Sequence, residues 1–294
     1  MPIAKDIWRP LIVEASAEVV LRAGGIEGFR RHWLPEMPRF RFLADPFGLW
    51  RDGRLHVFVE TYDYRTRHGT IECLLYNAGF ALLERREVLR EPWHLSYPLV
   101  FEAEGATWML PEASRSGALR LYRAVEFPWR WERAGRIALD HVAVDATLFF
   151  HEGLWWLFYA SADAKEDKTG ALFAAWAERL AGPWRPHPAN PVRRGFADTR
   201  PGGRVVTVDG APVLPVQDCT RTYGGAIRPL RITAFTPDRF EAEAGEAIRP
   251  PAAFAPYTQG LHTLSAAGDV TLVDVKCTDA SWRSIAMQVG RLFR

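Results

Sequence analysis

A chain of 294 residues, 48% hydrophobic and 24% charged, has ample material for a buried core and is neither a disordered nor a disulfide-stapled chain. A net charge of +2 argues against nucleic acid as a partner, and three cysteines without CxxC spacing argue against a zinc site or a disulfide framework. The start MPIAKDIWRP has no apolar signal core and no apolar run reaches membrane-spanning length, so a cytoplasmic protein without a transmembrane segment is expected.

Trp8–Val13 reads as a strand. The stretch 15–35 holds a short helix. A motif then recurs five times: an apolar run, a turn containing glycine, and a second apolar run. The runs are Asp45–Trp50 and Leu55–Glu60, Tyr97–Glu102 and Thr107–Glu112, Asp145–Phe150 and Leu154–Tyr159, Pro201–Val208 and Ala211–Val216, and His262–Ser265 and Val270–Val275. Asp-Gly and Glu-Gly turns between alternating apolar segments are hairpin signals. Further strands follow the hairpins, as at Thr70–Tyr76 and Gly117–Arg123. The stretch from Leu172 reads as a third strand, with a helical turn as the alternative.

The repeats start near 45, 97, 145, 201 and 262. A spacing of roughly 50 to 60 residues suits four-stranded propeller blades. The expected fold is therefore all-β: one five-bladed β-propeller domain over 1–294, closed by the N-terminal strand joining the last blade. Closure removes exposed sheet edges, which is the physical reason to expect it.

In a propeller the inner strands start at one mouth of the central cavity, and the second strands end there. The strand-one starts are Asp45, Ser96 with Tyr97, Asp145, Arg200 and His262; the strand-two ends are Glu60, Glu112, Ser161, Gln217 with Asp218, and Lys276. Taken singly these are ordinary turn residues. As a convergent set they predict a polar pocket. Trp93 and Tyr97 are aromatic candidates for stacking on a sugar. His68 is expected in a solvated loop and His151 in a hairpin turn. Trp155 and Trp156 point to opposite faces, one between blades and one outward. No histidine or acidic pair has ligand spacing, so no metal and no cofactor is expected.

The ordered pieces Phe42–Phe47, His94–Pro98, Met109–Glu112, Arg200–Gly203, Gln217–Cys219, Tyr223–Gly224 and Gly260–Thr263 are similar to the N-terminal domain of plant glucosamine inositolphosphorylceramide transferase and its stand-alone bacterial relatives. More broadly, Ala44–Phe47, Asp145 and the Leu180–Trp184 turn resemble the arabinanase and xylosidase propellers. The resemblance implies a five-bladed propeller acting on carbohydrate. It implies Asp45 as general base and Asp145 as the residue that tunes the acid and orients substrate. It also implies a blade-four glutamate as general acid, but this chain reads Thr199-Arg200-Pro201-Gly202 there. Some related propellers hold an axial calcium or other ion, with His262 as the residue to watch.

Two repairs follow. Glu112 supplies the acid from a neighbouring blade, or the leaving group needs none because it is a phosphate. In the second case Arg200 clamps the phosphate, with His262 and Lys276 adding charge. Alternatively Arg200 salt-bridges Asp45 or Asp145 and only holds the site together. The leading expectation is glycosyl transfer from a phosphate-containing sugar donor. Glycoside hydrolysis and non-catalytic glycan binding are the alternatives. The site set is Asp45, Asp145 and Glu112 as catalytic residues, with Glu60, Trp93, Ser96, Tyr97, Arg200, Gln217, Asp218, Tyr223, His262 and Lys276 binding substrate.

Overall fold

The computed structural model describes residues 4–281 and is a ring of five antiparallel sheets. Blade one is Arg41–Arg51, Arg54–Asp63, His68–Tyr76 and Leu82–Leu89. Blade two is Ser96–Ala103, Ala106–Glu112, Leu119–Glu126 and Arg130–Ile137. Blade three runs Ala143–His151, Leu154–Ser161 and Ala171–Ala177, with short outer pieces at Arg185–Pro186 and Arg193–Arg194. The inner strand of blade four is split into Arg200–Pro201 and Val206–Val208, followed by Ala211–Asp218, Ala226–Thr236 and Arg239–Ala244. Blade five takes Gly260–Ala267 and Val270–Asp279 from one part of the chain, then Lys5–Val13 and Arg31–Trp33 from the other.

The expected closure is therefore present: Lys5–Val13 pairs antiparallel with Val270–Asp279 along its whole length. The short helix is Ala17–Ala23, capped by the Ser16 side chain at its start and by left-handed Gly24 at its end. The Leu172 stretch is strand. Both Trp155 and Trp156 sit between blades, where outward exposure was expected for one: Trp155 meets Phe101 of blade two and Trp156 meets Phe235 of blade four. His68 begins a strand, Gly69 following it without a break. No helix among the described residues is long and apolar enough to cross a membrane.

Apolar alternation feeds the spaces between blades. Phe47, Phe58, Leu99, Leu110 and Tyr159 belong to one core shared by blades one to three. Each such side chain contributes on the order of 1.5–3 kcal/mol by leaving water.

One irregularity positions the site. The inner strands of blades one, two, three and five each carry a β-bulge, after Ala44, Ser96, Val144 and Leu261. The first bulged residues are Asp45, Tyr97, Asp145 and His262. Asp45, Tyr97 and Asp145 have φ of 50°, 46° and 48°, uncommon for side-chain-bearing residues. A bulge re-aims its side chain and bends the strand. Blade four replaces the bulge by the gap between Pro201 and Val206. A Cβ on Gly203, at φ 151°, would lie 1.8 Å from the Leu264 carbonyl oxygen of blade five, so only glycine fits.

Candidate active site

At the mouth of the ring lies a cleft of about 220 Å³ lined by Asp45, Glu60, Ser96, Glu112, Arg200, Tyr223 and His262, together with Trp8, Phe42, His94, Ser114, Val144 and Lys168. A larger groove beside Arg41 and Glu87 shares none of these residues.

Asp45 is 5% exposed. Its Oδ2 accepts the Tyr97 N–H (3.1 Å) and its Oδ1 the Thr263 hydroxyl (3.0 Å). Its own N–H donates to Asp274 Oδ2 at 2.9 Å. Burial pushes the carboxyl up to about 6; His262 and the Thr263 hydroxyl pull it down, and the Asp145 and Asp274 charges push it further up.

His262 sits between two carboxylates. Its Nδ1 lies 2.6 Å from Asp274 Oδ1, and its Nε2 lies 3.4 Å from Asp45 Oδ1. Burial alone would depress the imidazole, but the Asp274 and Asp45 charges outweigh it and hold the ring towards the charged form. The ring stacks on Trp8, centroids 3.7 Å apart and planes 11° apart, where an indole face suits a cation. Asp45, His262 and Asp274 are close enough to offer a cation three ligand atoms, but their facing atoms are already committed to one another and to Thr263.

Asp145 lies behind the cleft wall. Its Oδ2 accepts Arg200 Nε at 2.7 Å and Gln217 Nε2 at 3.1 Å. Burial raises this carboxyl and the Arg200 charge offsets part of the rise. Arg200 also donates to the Lys168 carbonyl at 3.0 Å and lies 5.0 Å over the Tyr223 ring. The salt bridge to Asp145, expected in one of the two readings of Arg200, is present.

Glu112 accepts the Ser96 hydroxyl at Oε2 (3.0 Å) and the Ser114 N–H at Oε1 (2.8 Å). Glu60 lies across from Ala44 in the register and is 6% exposed. His94 Nε2 lies 3.5 Å from its Oε1. Burial pushes Glu60 well above the carboxylate range, and the charges of Asp45, Glu112, Asp145 and Asp274 add to that.

Several expected substrate contacts lie elsewhere. Tyr97 is fully buried: its hydroxyl bonds Thr147 and the Gly203 backbone and its ring meets Phe47 edge-on, so it is a core pin and not a stacking platform. The Trp93 ring is met by the Arg120 and Arg133 guanidiniums of blade two, 4.9 and 5.0 Å from its centre, and does not line the cleft. Asp218 faces away from Gln217, as strand alternation requires, and accepts Arg228 and Thr220. Lys276 is spent on Asp6, Thr222 and the Tyr223 carbonyl, fastening the loop that carries Tyr223. Gln217 holds Asp145 and does not line the cleft.

Sequence reasoning passed over Trp8, His94, Lys168, Thr263 and Asp274. Asp274 had a signal: a lone acid inside the apolar run Val270–Val275, opposite the His262 bulge. His94 stands two residues before a strand-one start, inside a piece that carries the family resemblance, but nothing in the strand pattern pointed to its side chain.

The family model of the glucosamine inositolphosphorylceramide transferase 1 N-terminal region matches residues 36–249. A transferase of that name from Arabidopsis thaliana is 36% identical over 205 residues, covering 68% of this chain and 26% of the relative. The rice (Oryza sativa subsp. indica) protein of the same name is 34% identical over 204 residues, covering 68% and 27%. The chain thus spans about a quarter of the length of these relatives. Among solved structures, an α-L-arabinofuranosidase from Podospora anserina, determined with cellotriose, superposes with a TM-score of 0.62 at 11% identity, covering 84% of this chain and 95% of that one. The catalytic domain of a Coprinopsis cinerea α-L-arabinofuranosidase gives 0.57 at 14% identity, covering 82% and 93%. These last two likenesses concern the fold.

Proposed function

The chain belongs to the family of glucosamine inositolphosphorylceramide transferase 1 N-terminal domains, and from that premise we propose that the cleft holds one glycosyl unit and acts at its anomeric carbon. Asp45 takes the proton of the attacking oxygen. An acceptor hydroxyl in that place gives glycosyl transfer; water gives hydrolysis.

The observation that carries this reading is a small cleft walled by Asp45, Glu60 and Glu112, with Asp45 pushed up to about 6. A base with such a value is largely ionised at neutral pH yet basic enough to accept a proton. The cleft falls below the roughly 300–1,000 Å³ of pockets for drug-sized ligands, which suits one sugar ring. Tyr223, 38% exposed, offers its ring at the entrance beside Trp8. The test is turnover of a panel of aryl and oligosaccharide glycosides, with calorimetric titration of the same sugars. Asp45→Asn should lower turnover by about 10²–10⁴-fold while sugar binding persists. Wild-type turnover in Asp45→Asn would remove the base from the scheme.

A phosphate-bearing donor is the second reading. Arg200 and Lys168 on the same wall favour it, as does the transferase name of the relatives. Against it, the Arg200 charge is already balanced by Asp145, and an incoming phosphate meets three carboxyls. A sugar nucleotide that raises the melting temperature of wild type, but not of Arg200→Ala, would favour the phosphate donor. No shift with any sugar nucleotide would leave the ordinary glycosidic bond as the substrate.

A further inference from the structure

We propose that Glu60 is the proton carrier of the cleft and gives its proton to the departing glycosidic oxygen. The inference rests on the reading of the cleft as a glycosyl site.

Hydrogen bonds sort the three carboxyls that line the cleft. Asp45 accepts from Tyr97 and Thr263. Glu112 accepts from Ser96 and Ser114 at its two oxygens. Donors aimed at a carboxylate stabilise its charged form. Glu60 is the exception: among the described residues no hydrogen bond reaches its carboxyl, and its polar neighbour is His94. The Gly69 N–H donates to His94 Nδ1 at 2.9 Å. That bond fixes the hydrogen of the neutral imidazole on Nε2, which stays 3.5 Å from Glu60 Oε1 and makes no hydrogen bond to it, so a proton on the carboxyl belongs on Oε2. Burial holds His94 down at about 4, with the Arg115 and His68 charges adding to the effect, so it brings no cation at neutral pH.

The acids whose charges act on Glu60 are Asp45 of blade one, Glu112 of blade two, Asp145 of blade three and Asp274 of blade five. Cations line the cleft as well: Arg200 is paired with Asp145, His262 lies between Asp274 and Asp45, and Lys168 stands on the Arg200 wall. Burial first, and then the acids, favour a neutral, protonated Glu60. The packing leaves the carboxyl little room to turn away. A Cβ on Gly69 would fall 2.4 Å from the Leu95 carbonyl, 2.7 Å from His94 Cε1 and 2.8 Å from Glu60 Oε1. Glu60 thus stays directed at the cleft it lines.

The step balances. The bond between the anomeric carbon and the leaving oxygen breaks, and its electron pair stays on that oxygen. The Glu60 proton goes to the same oxygen. The attacking oxygen bonds to the anomeric carbon and its proton goes to Asp45. Exchange with solvent restores both carboxyls.

Two measurements test this. The first needs no substrate: infrared difference spectroscopy of ¹³C-glutamate-labelled protein at neutral pH. A protonated-carboxyl band is expected in wild type and in Glu112→Gln, and is expected to vanish in Glu60→Gln. Absence of the band in wild type, or its loss in Glu112→Gln alone, overturns the assignment. The second compares glycosides of one sugar with nitrophenol or a plain alcohol as leaving group. Glu60→Gln should lose at least about 10²-fold on the alcohol and far less on the nitrophenol, which departs without a proton. An equal loss on both, or none, overturns the catalytic role. Asp45→Asn should lose both alike. Failure of that control strikes the reading of the cleft and leaves the infrared result on Glu60 to stand by itself. Thermal melting of each variant separates misfolding from lost chemistry, and Glu60→Asp, which keeps the proton, should restore part of the alcohol rate.

Discussion

At the residue scale the cleft holds a charge where the fold would be better off without one. Asp45 ionises in isolation near the ordinary aspartate value of 3.8 but in the fold only at about 6. Between those values the native state binds the extra proton, so this residue's contribution to stability falls as pH rises through the interval. Above 6 the charged native form costs up to about 3 kcal/mol, by the conversion of roughly 1.4 kcal/mol per pKa unit. Asparagine tolerates the left-handed backbone at this bulge and keeps an acceptor for the Tyr97 N–H. Asp45→Asn should therefore melt higher than wild type at pH 8, with the gap closing as pH falls towards 4. Thermal scans across that range check it, and a gap that widens on acidification would mean that Asp45 is stabilised as the anion.

At the scale of elements the governing device is the bulge. Asp45, Asp145 and His262 were visible in the sequence because they recur at one phase of a repeat. What the repeat could not show is that each lies inside its strand, re-aimed by an extra residue, and not at a strand start. A bulge leaves no mark in an alternation pattern read one strand at a time. The same blindness misplaced Tyr97, whose bulge turns a tyrosine into the core. It also hid Asp274, which becomes meaningful only when set opposite the His262–Thr263 bulge. Asp218 was misread for another reason: being near the end of strand two does not fix the face, and one residue along from Gln217 reverses it. Lys276 shares the face of Asp274, but Asp6, Thr222 and the Tyr223 carbonyl take up its ammonium, which no strand pattern shows. Blade four shows what the absence of a simple bulge requires. There Gly202 accepts the Leu264 N–H at 2.7 Å, and Gly203 lies against the Leu264 carbonyl. Gly203→Ala meets backbone, not a movable side-chain tip, and at an unfavourable φ. It should cost about 3 kcal/mol or more in a urea titration. A loss below about 1 kcal/mol would show that blades four and five can part there at little cost.

At the scale of the whole molecule the site and the closure of the ring are one structure. Trp8 stands on Lys5–Val13, the strand that closes blade five, and stacks on His262 of the same blade. Asp274, in the strand next to it, holds both His262 and the Asp45 N–H of blade one. The joint between the last blade and the first thus runs through the cleft floor. Pairings between such distant parts of the chain form late and at a loop-closure cost, so the joint is where the ring should open first. Leu11, fully buried in the core beneath blade five, tests this without touching a cleft residue. Leu11→Ala should lose about 2–5 kcal/mol. In hydrogen exchange the loss should appear beyond its own strand: in Gly260–Ala267 and Val270–Asp279, and across the joint in Arg41–Arg51, where Asp45 is tied to Asp274. Faster exchange confined to Lys5–Val13 would mean that the closing strand detaches alone and that the cleft floor does not depend on ring closure. Faster exchange on both sides of the joint, with sugar binding weakened in the same variant, would mean that closing the ring is what assembles the Asp45–His262–Asp274 cluster.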